Sequence, residues 1–131
     1  MRISQTLLAL AGLLGAFAVA FSAYASHSLM SSLPTALQQH IQLAVNYHLV
    51  HALLMVIASI TALLHLDLWA QRFANLAATC CAAGILMFSG SFYIWALSGE
   101  KLLAKLTPVG GTSFILAWLF IALMALRGLK R

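Results

Sequence analysis

The chain has 131 residues, of which 63% are hydrophobic and 7% charged, with a formal net charge of +5. That balance describes a membrane protein, and it leaves no solvated basic surface on which nucleic acid could bind. Polar groups inside apolar runs are costly unless they find partners, so they mark where helix registration or chemistry is to be sought.

Four apolar segments, at about 5–26, 43–64, 73–97 and 109–126, each reach the ~18 residues that a spanning helix needs. They use nearly the whole sequence and predict a single membrane domain, 1–131, with an all-α fold: an integral four-helix transmembrane bundle. In lipid a helix is the local way to satisfy every backbone group.

In the first segment, Arg2, the stretch Leu7–Phe21 and Ala23-Tyr24-Ala25 before Ser26 look like a secretory signal with a cleavage site. The apolar stretch is long for a signal, so the segment is read as a retained span. Its small residues Ala11, Gly15, Ala18, Ser22 and Ala25 recur with a period of about 3.5 residues, the spacing of a packing seam. Gly12 and Ser26 widen that seam, and the first helix is expected to pack inside the bundle.

Ser31-Ser32-Leu33-Pro34 follows, with Ser32 and the proline read as a helix start. A helix over 34–64 would be roughly 46 Å long, so its membrane part is taken from about residue 43 and the rest protrudes. The loop His65–Arg72 carries Trp69 as an interfacial anchor, and Trp95 sits similarly at the other end of the third segment. Cys80 and Cys81 are adjacent on one helix, where they point in different directions and read as free buried thiols. Gly90 removes bulk between Ser89 and Ser91. Thr107-Pro108 opens the fourth helix, and Gly110-Gly111 lets its first turn approach a neighbour.

Arg2, Arg72, Arg127, Lys130 and Arg131 fall on one side of a four-span topology, against Lys101 and Lys105 on the other. The bias predicts that both termini are cytoplasmic and that the basic tail lies against anionic headgroups. Counting inward from residues 43 and 98 at 1.5 Å per residue, His48 and Tyr93 each lie ~8 Å deep, Ser91 ~10 Å, His51 ~12 Å and Ser89 ~14 Å. His27 and Thr107 sit at the outer ends of the first and fourth segments. The candidate polar layer is therefore His27, Tyr47, His48, His51, Ser89, Ser91, Tyr93 and Thr107, in the outer half of the bundle. Tyr47 with His51, and Ser89 with Tyr93, are four apart and share a face. His51 is expected close to Ser89 and Tyr93.

Four stretches also carry a resemblance: Ala25-Ser26-His27-Ser28-Leu29, Tyr47 with His51-Ala52-Leu53, Phe88-Ser89-Gly90-Ser91-Phe92-Tyr93, and Thr107-Pro108-Val109-Gly110-Gly111. In this order they resemble the bacterial YgdD-like inner-membrane family, a domain of unknown function with a relative in the animal transmembrane protein 256. The resemblance implies a multi-pass protein of the bacterial inner (plasma) membrane and no established activity. The sequence departs from the family around Ser22, Tyr24, Ala25 and Ser26, where glycine and alanine are usual, and at His48, where glutamine is usual.

A structural or accessory membrane protein is the function these features predict, with the polar layer fixing helix register. The bilayer is the expected partner, together with a second copy or a larger membrane complex; no nucleic acid, cofactor or metal is expected. One alternative is a haem- or metal-binding bundle using His27, Met30, His40, His48 and His51. The other is a small-molecule or proton-linked carrier in which His51 titrates, the spans having no central carboxylate. Ser89 or Ser91 with His51 lacks an orienting acid, so no catalytic residue is assigned and an enzyme is not expected.

Overall fold

Every regular element is helical in the computed structural model, among the described residues 2–64 and 67–128. His65 of the expected anchor loop, and Lys130 and Arg131 of the basic tail, lie outside the described residues.

Helix α1 spans Arg2–Tyr24 and continues through a π turn, Ala25–Leu29, and a 3-10 turn, Met30–Ser32. Leu33 then adopts an extended conformation (φ −100°, ψ 147°), as the following Pro34 requires. Helix α2 runs Thr35–Leu64. Ser32 does not open it; its hydroxyl donates back to the Leu29 carbonyl at 2.8 Å and closes the first span instead. The Gln38 amide donates to the Leu33 carbonyl at 2.8 Å, which ties the first turn of α2 to the connection.

Helix α3, Leu68–Gly84, is N-capped by Asp67, whose carboxylate accepts from the Ala70 amide at 3.3 Å. A second π turn, Ile85–Ser89, leads into α4, Gly90–Ser98. Gly99 ends that span at φ 74°, a left-handed conformation suited to glycine, and its N–H donates to the Trp95 carbonyl at 2.9 Å. A 3-10 turn, Leu102–Leu106, precedes α5, Thr107–Gly128. Four helical stretches are thus long and apolar enough to cross a membrane: Arg2–Ser32, Thr35–Leu64, Leu68–Ser98 and Leu102–Arg127. Each extends beyond its apolar segment, because helical backbone bonds do not stop where the hydrocarbon does.

Helices α2 and α3 form the central pair, with α1 packed chiefly on α2 and α5 chiefly on α3. In their most apolar stretches the second and third spans bury 44% and 50%, against 17% for the first and fourth. The first helix therefore corrects the expectation of an inside position. It buries one narrow edge, Ser4, Ala11, Ala18 and Ala25 at seven-residue spacing, with Phe21 beside it. Gly12 and Gly15 lie off that edge, and a side-chain carbon at either would meet open space.

The close approach occurs between α3 and α5. A Cβ on Gly84 would collide with the Phe114 ring, and one on Gly110 would lie 2.5 Å from the Phe88 amide nitrogen. Gly90 and Gly111 stand at ordinary contact distance, so of the expected packing glycines only Gly110 is pressed tightly. Cys81 is buried, Cys80 half-buried, and both thiols are free.

At the terminal end of the bundle the Ser4 hydroxyl donates to Asn75 at 3.0 Å, and Arg127 lies 3.7 Å from Asp67. Arg72 and Arg127 sit over the Trp69 ring at 5.0 and 5.9 Å. At the distal end Lys101 covers Trp95 at 4.6 Å. Each expected tryptophan anchor thus meets a cation at a bundle end.

Candidate functional site: two histidines on neighbouring flanks of the second span

His48 and His51 are three residues apart on α2, about 60° around the helix, and their rings diverge to neighbouring helices. His48 faces α1 and α4; His51 faces α5. Both are almost completely buried, at 1% and 4% exposure.

On the first flank Nδ1 of His48 lies 3.1 Å from the Tyr93 hydroxyl. The Tyr93 ring packs on Phe21 with centroids 4.0 Å apart, and the His48 ring is 6.1 Å from Phe17. Among the described residues Nε2 of His48 is buried and meets no partner at hydrogen-bond distance, and the Leu14 backbone is a polar neighbour of the ring. A cavity of ≈250 Å³ lies beside the His48 ring, lined by Leu14, Phe17, Ile85, Leu86, Gly90 and Tyr93.

On the second flank Nδ1 of His51 lies 2.8 Å from the Tyr47 carbonyl, and Nε2 lies 3.2 Å from Nε1 of Trp118. A carbonyl only accepts and an indole N–H only donates. One neutral tautomer, protonated on Nδ1, satisfies both bonds. The imidazole stacks on Phe114 at 3.7 Å and on Tyr47 at 5.7 Å. Tyr47, His51, Phe88, Gly111 and Trp118 line a groove of ≈500 Å³, which adjoins a second of ≈330 Å³ reaching Asn46 and Val50.

The two serines bond separately. The Ser89 hydroxyl donates to the Ala44 carbonyl at 2.7 Å, tying the π turn to α2. The Ser91 hydroxyl lies 2.7 and 2.8 Å from the Met87 and Phe88 carbonyls and 2.9 Å from the Thr107 hydroxyl, tying α4 to the start of α5.

The polar candidates bond in separate pairs among the described residues. His48 rather than His51 meets Tyr93, and His51 pairs with Trp118 instead. His27 is exposed in its π turn and makes no hydrogen bond among the described side chains. Depth counting also slips: Ser89, counted as ~14 Å deep, bonds the carbonyl of Ala44, a residue near the start of the membrane part of α2. The two helices do not share one zero. Among the described residues, no three His, Cys, Asp or Glu side chains converge to hold a metal ion.

Sequence reasoning missed Trp118, Phe114, Gly84 and Ser4. Trp118 had a readable signal, since a tryptophan in the middle of a span is not at an interface. Ser4 lies outside the apolar segments, and its pairing with Asn75 has no signal in the spacing.

A family profile described as "Protein of unknown function (DUF423)" matches residues 21–111. The chain belongs to this family. A UPF0382 membrane protein of Haemophilus influenzae is 32% identical over 115 residues, covering 88% of this chain and 89% of the relative. The UPF0382 membrane protein YwdK of Bacillus subtilis is 32% identical over 116 residues, covering 84% and 87%. The UPF0382 inner membrane protein YgdD of Escherichia coli strain K12 is 31% identical over 128 residues, covering 98% and 94%. No solved structure matches. With these relatives and four candidate spans, the protein is a multi-pass protein of the bacterial inner membrane, and the family supplies no specific activity. The DUF423 match covers all eight candidate polar residues but stops before Phe114 and Trp118, the rings that hold His51.

Proposed function

We propose that the protein is a structural or accessory component of the inner membrane, with no catalytic step of its own. The observation that supports this most directly is where the polar side chains end. Ser89 closes on the α2 backbone, Ser91 on Thr107, His48 on Tyr93 and His51 on Trp118. Such bonds fix how helices register while leaving few atoms for chemistry. The lightly buried first and fourth spans present their outer faces to the bilayer, to a second copy or to a larger membrane complex.

Both termini face the cytoplasm in this reading, on the distribution of Arg2, Arg72 and Arg127 against Lys101 and Lys105. Reporter fusions at the C-terminus test it: a fluorescent protein there should fold and glow, and an active periplasmic phosphatase there would reverse the topology.

The function itself is tested by substituting the bonded polar residues and measuring unfolding stability alongside the phenotype of a strain lacking the protein. Stability and complementation should fall together. Loss of complementation at unchanged stability overturns the reading. The groove beside His51 favours one second reading, the binding of a small membrane-dissolved molecule, which a pigment or lipid copurifying with the native protein and lost in Trp118→Ala would support.

A further inference from the structure

Ser22 and Ser26 are four apart on the first span, as are Gln42 and Asn46 on α2, so each pair lies along one face of its helix. The two pairs meet across a cavity of ≈140 Å³ floored by Ile41 and Val45. Its wall is mostly polar, unlike the cavities beside His48 and His51.

The hydrogen bonds within this cluster are incomplete. Ser26 donates to the Ser22 carbonyl at 2.9 Å, which leaves its own oxygen free to accept. The Ser22 hydroxyl and the Gln42 and Asn46 amides make no side-chain hydrogen bond among the described residues. Gathered where the second span leaves its membrane part, these donors and acceptors stand together for a ligand at that boundary.

The residue types define the partner. Among the described residues no charged side chain lines the cavity, so neither an anion nor a cation would be neutralised there. Each primary amide offers two donors and an acceptor, and each hydroxyl a donor and an acceptor. That set is complementary to groups that donate and accept from the same atom, namely hydroxyls. The serines lie near the distal end of the first span, and Gln42 lies seven residues into α2, ~10 Å from its start. Ser26, Gln42 and Asn46 are exposed, which leaves the cavity open at the side of the bundle.

We infer that the cleft between Ser22, Ser26, Gln42 and Asn46 binds a vicinal diol, carried either by the terminal glycerol of a lipid headgroup or by a free polyol. Two or three neutral hydrogen bonds to the diol correspond to roughly tenfold discrimination against a ligand lacking it.

Native mass spectrometry of the purified full-length chain tests this. Phosphatidylglycerol is titrated against phosphatidylmethanol, which carries the same charge without the diol, and free glycerol is titrated separately with thermal unfolding as the readout. A headgroup site retains phosphatidylglycerol about tenfold better, and a free-polyol site shows glycerol-dependent stabilisation without lipid preference. In either case Gln42→Leu/Asn46→Leu abolishes the discrimination. Both positions are exposed, so the variant should keep its unfolding midpoint; if it does not, Ser22→Ala/Ser26→Ala takes its place. Absence of both effects in the unmodified protein, or their survival in the folded variant, overturns the proposal.

Discussion

The Trp118 indole donates to Nε2 of His51 at 3.2 Å, opposite the Tyr47 carbonyl that accepts from Nδ1, so a residue on α5 fixes the tautomer of an imidazole on α2. Replacing Trp118 with phenylalanine keeps a ring but leaves a nearly buried acceptor unpaired. The expected loss of stability is about 1 kcal/mol. A double-mutant cycle with His51→Phe, followed by denaturant unfolding in detergent, should give a coupling of about 0.6–1.7 kcal/mol. Strictly additive losses would show that the bond contributes nothing.

The His48–Tyr93 pair leads to a different expectation, because among the described residues Nε2 of His48 has no partner at hydrogen-bond distance. Tyr93→Phe should destabilise by about 1 kcal/mol by leaving a second ring nitrogen unpaired. In that background His48→Phe should cost less than it does in the unmodified protein, since it removes an imidazole with no bonds left. His48→Gln keeps a donor and an acceptor and should stay within about 0.5 kcal/mol of the parent. Unfolding midpoints of the parent and the four variants decide the order.

Two classes of glycine should separate cleanly. At Gly110 an added methyl would meet the Phe88 amide nitrogen at 2.5 Å and the Met87 carbonyl carbon at 2.9 Å, both backbone atoms that cannot step aside. Gly110→Ala should therefore destabilise by about 1–3 kcal/mol. Gly12→Ala and Gly15→Ala meet nothing and should stabilise by up to about 1 kcal/mol through helix propensity. Thermal unfolding in one detergent compares all three, and equal effects would refute the α3–α5 crossing described above.

At the terminal end, Asp67 both caps α3 and pairs with Arg127. Asp67→Ala should lose about 1 kcal/mol with the cap. Arg127→Ala, whose partly exposed ion pair is screened by solvent, should lose no more than about 0.5 kcal/mol. A larger loss at Arg127 would mean that its packing over Trp69 matters more than the cap.

The spans were legible in the sequence because length and apolarity alone decide whether a helix can cross lipid. The membership of the polar set was legible for the same reason, since few residue types are tolerated there. Pairing was not. Whether His48 or His51 meets Tyr93 depends on the rotation of α2 by less than a third of a turn, which residue counting does not fix. The glycines failed in a related way: Gly12 and Gly15 sit one position away from the buried edge of Ala11 and Ala18, or beyond it, and Gly84 stands outside any marked motif. Partnership across helices is a property of two surfaces, and a single strand of sequence displays one at a time.

The π turn at Ile85–Ser89 carries its own consequence. In an unbroken α-helix, a residue seven places on returns to within about 20° of its starting direction. By that count Phe88 and Phe92 would continue the buried line of Cys81. One surplus residue in the turn hands the line to Ser89 and Tyr93, the side chains that bond Ala44 and His48. The chain thus carries a phase slip of one residue. Deleting a single position within 85–88 would straighten the helix and keep both bonds in aim, whereas adding one would swing them about 100° away.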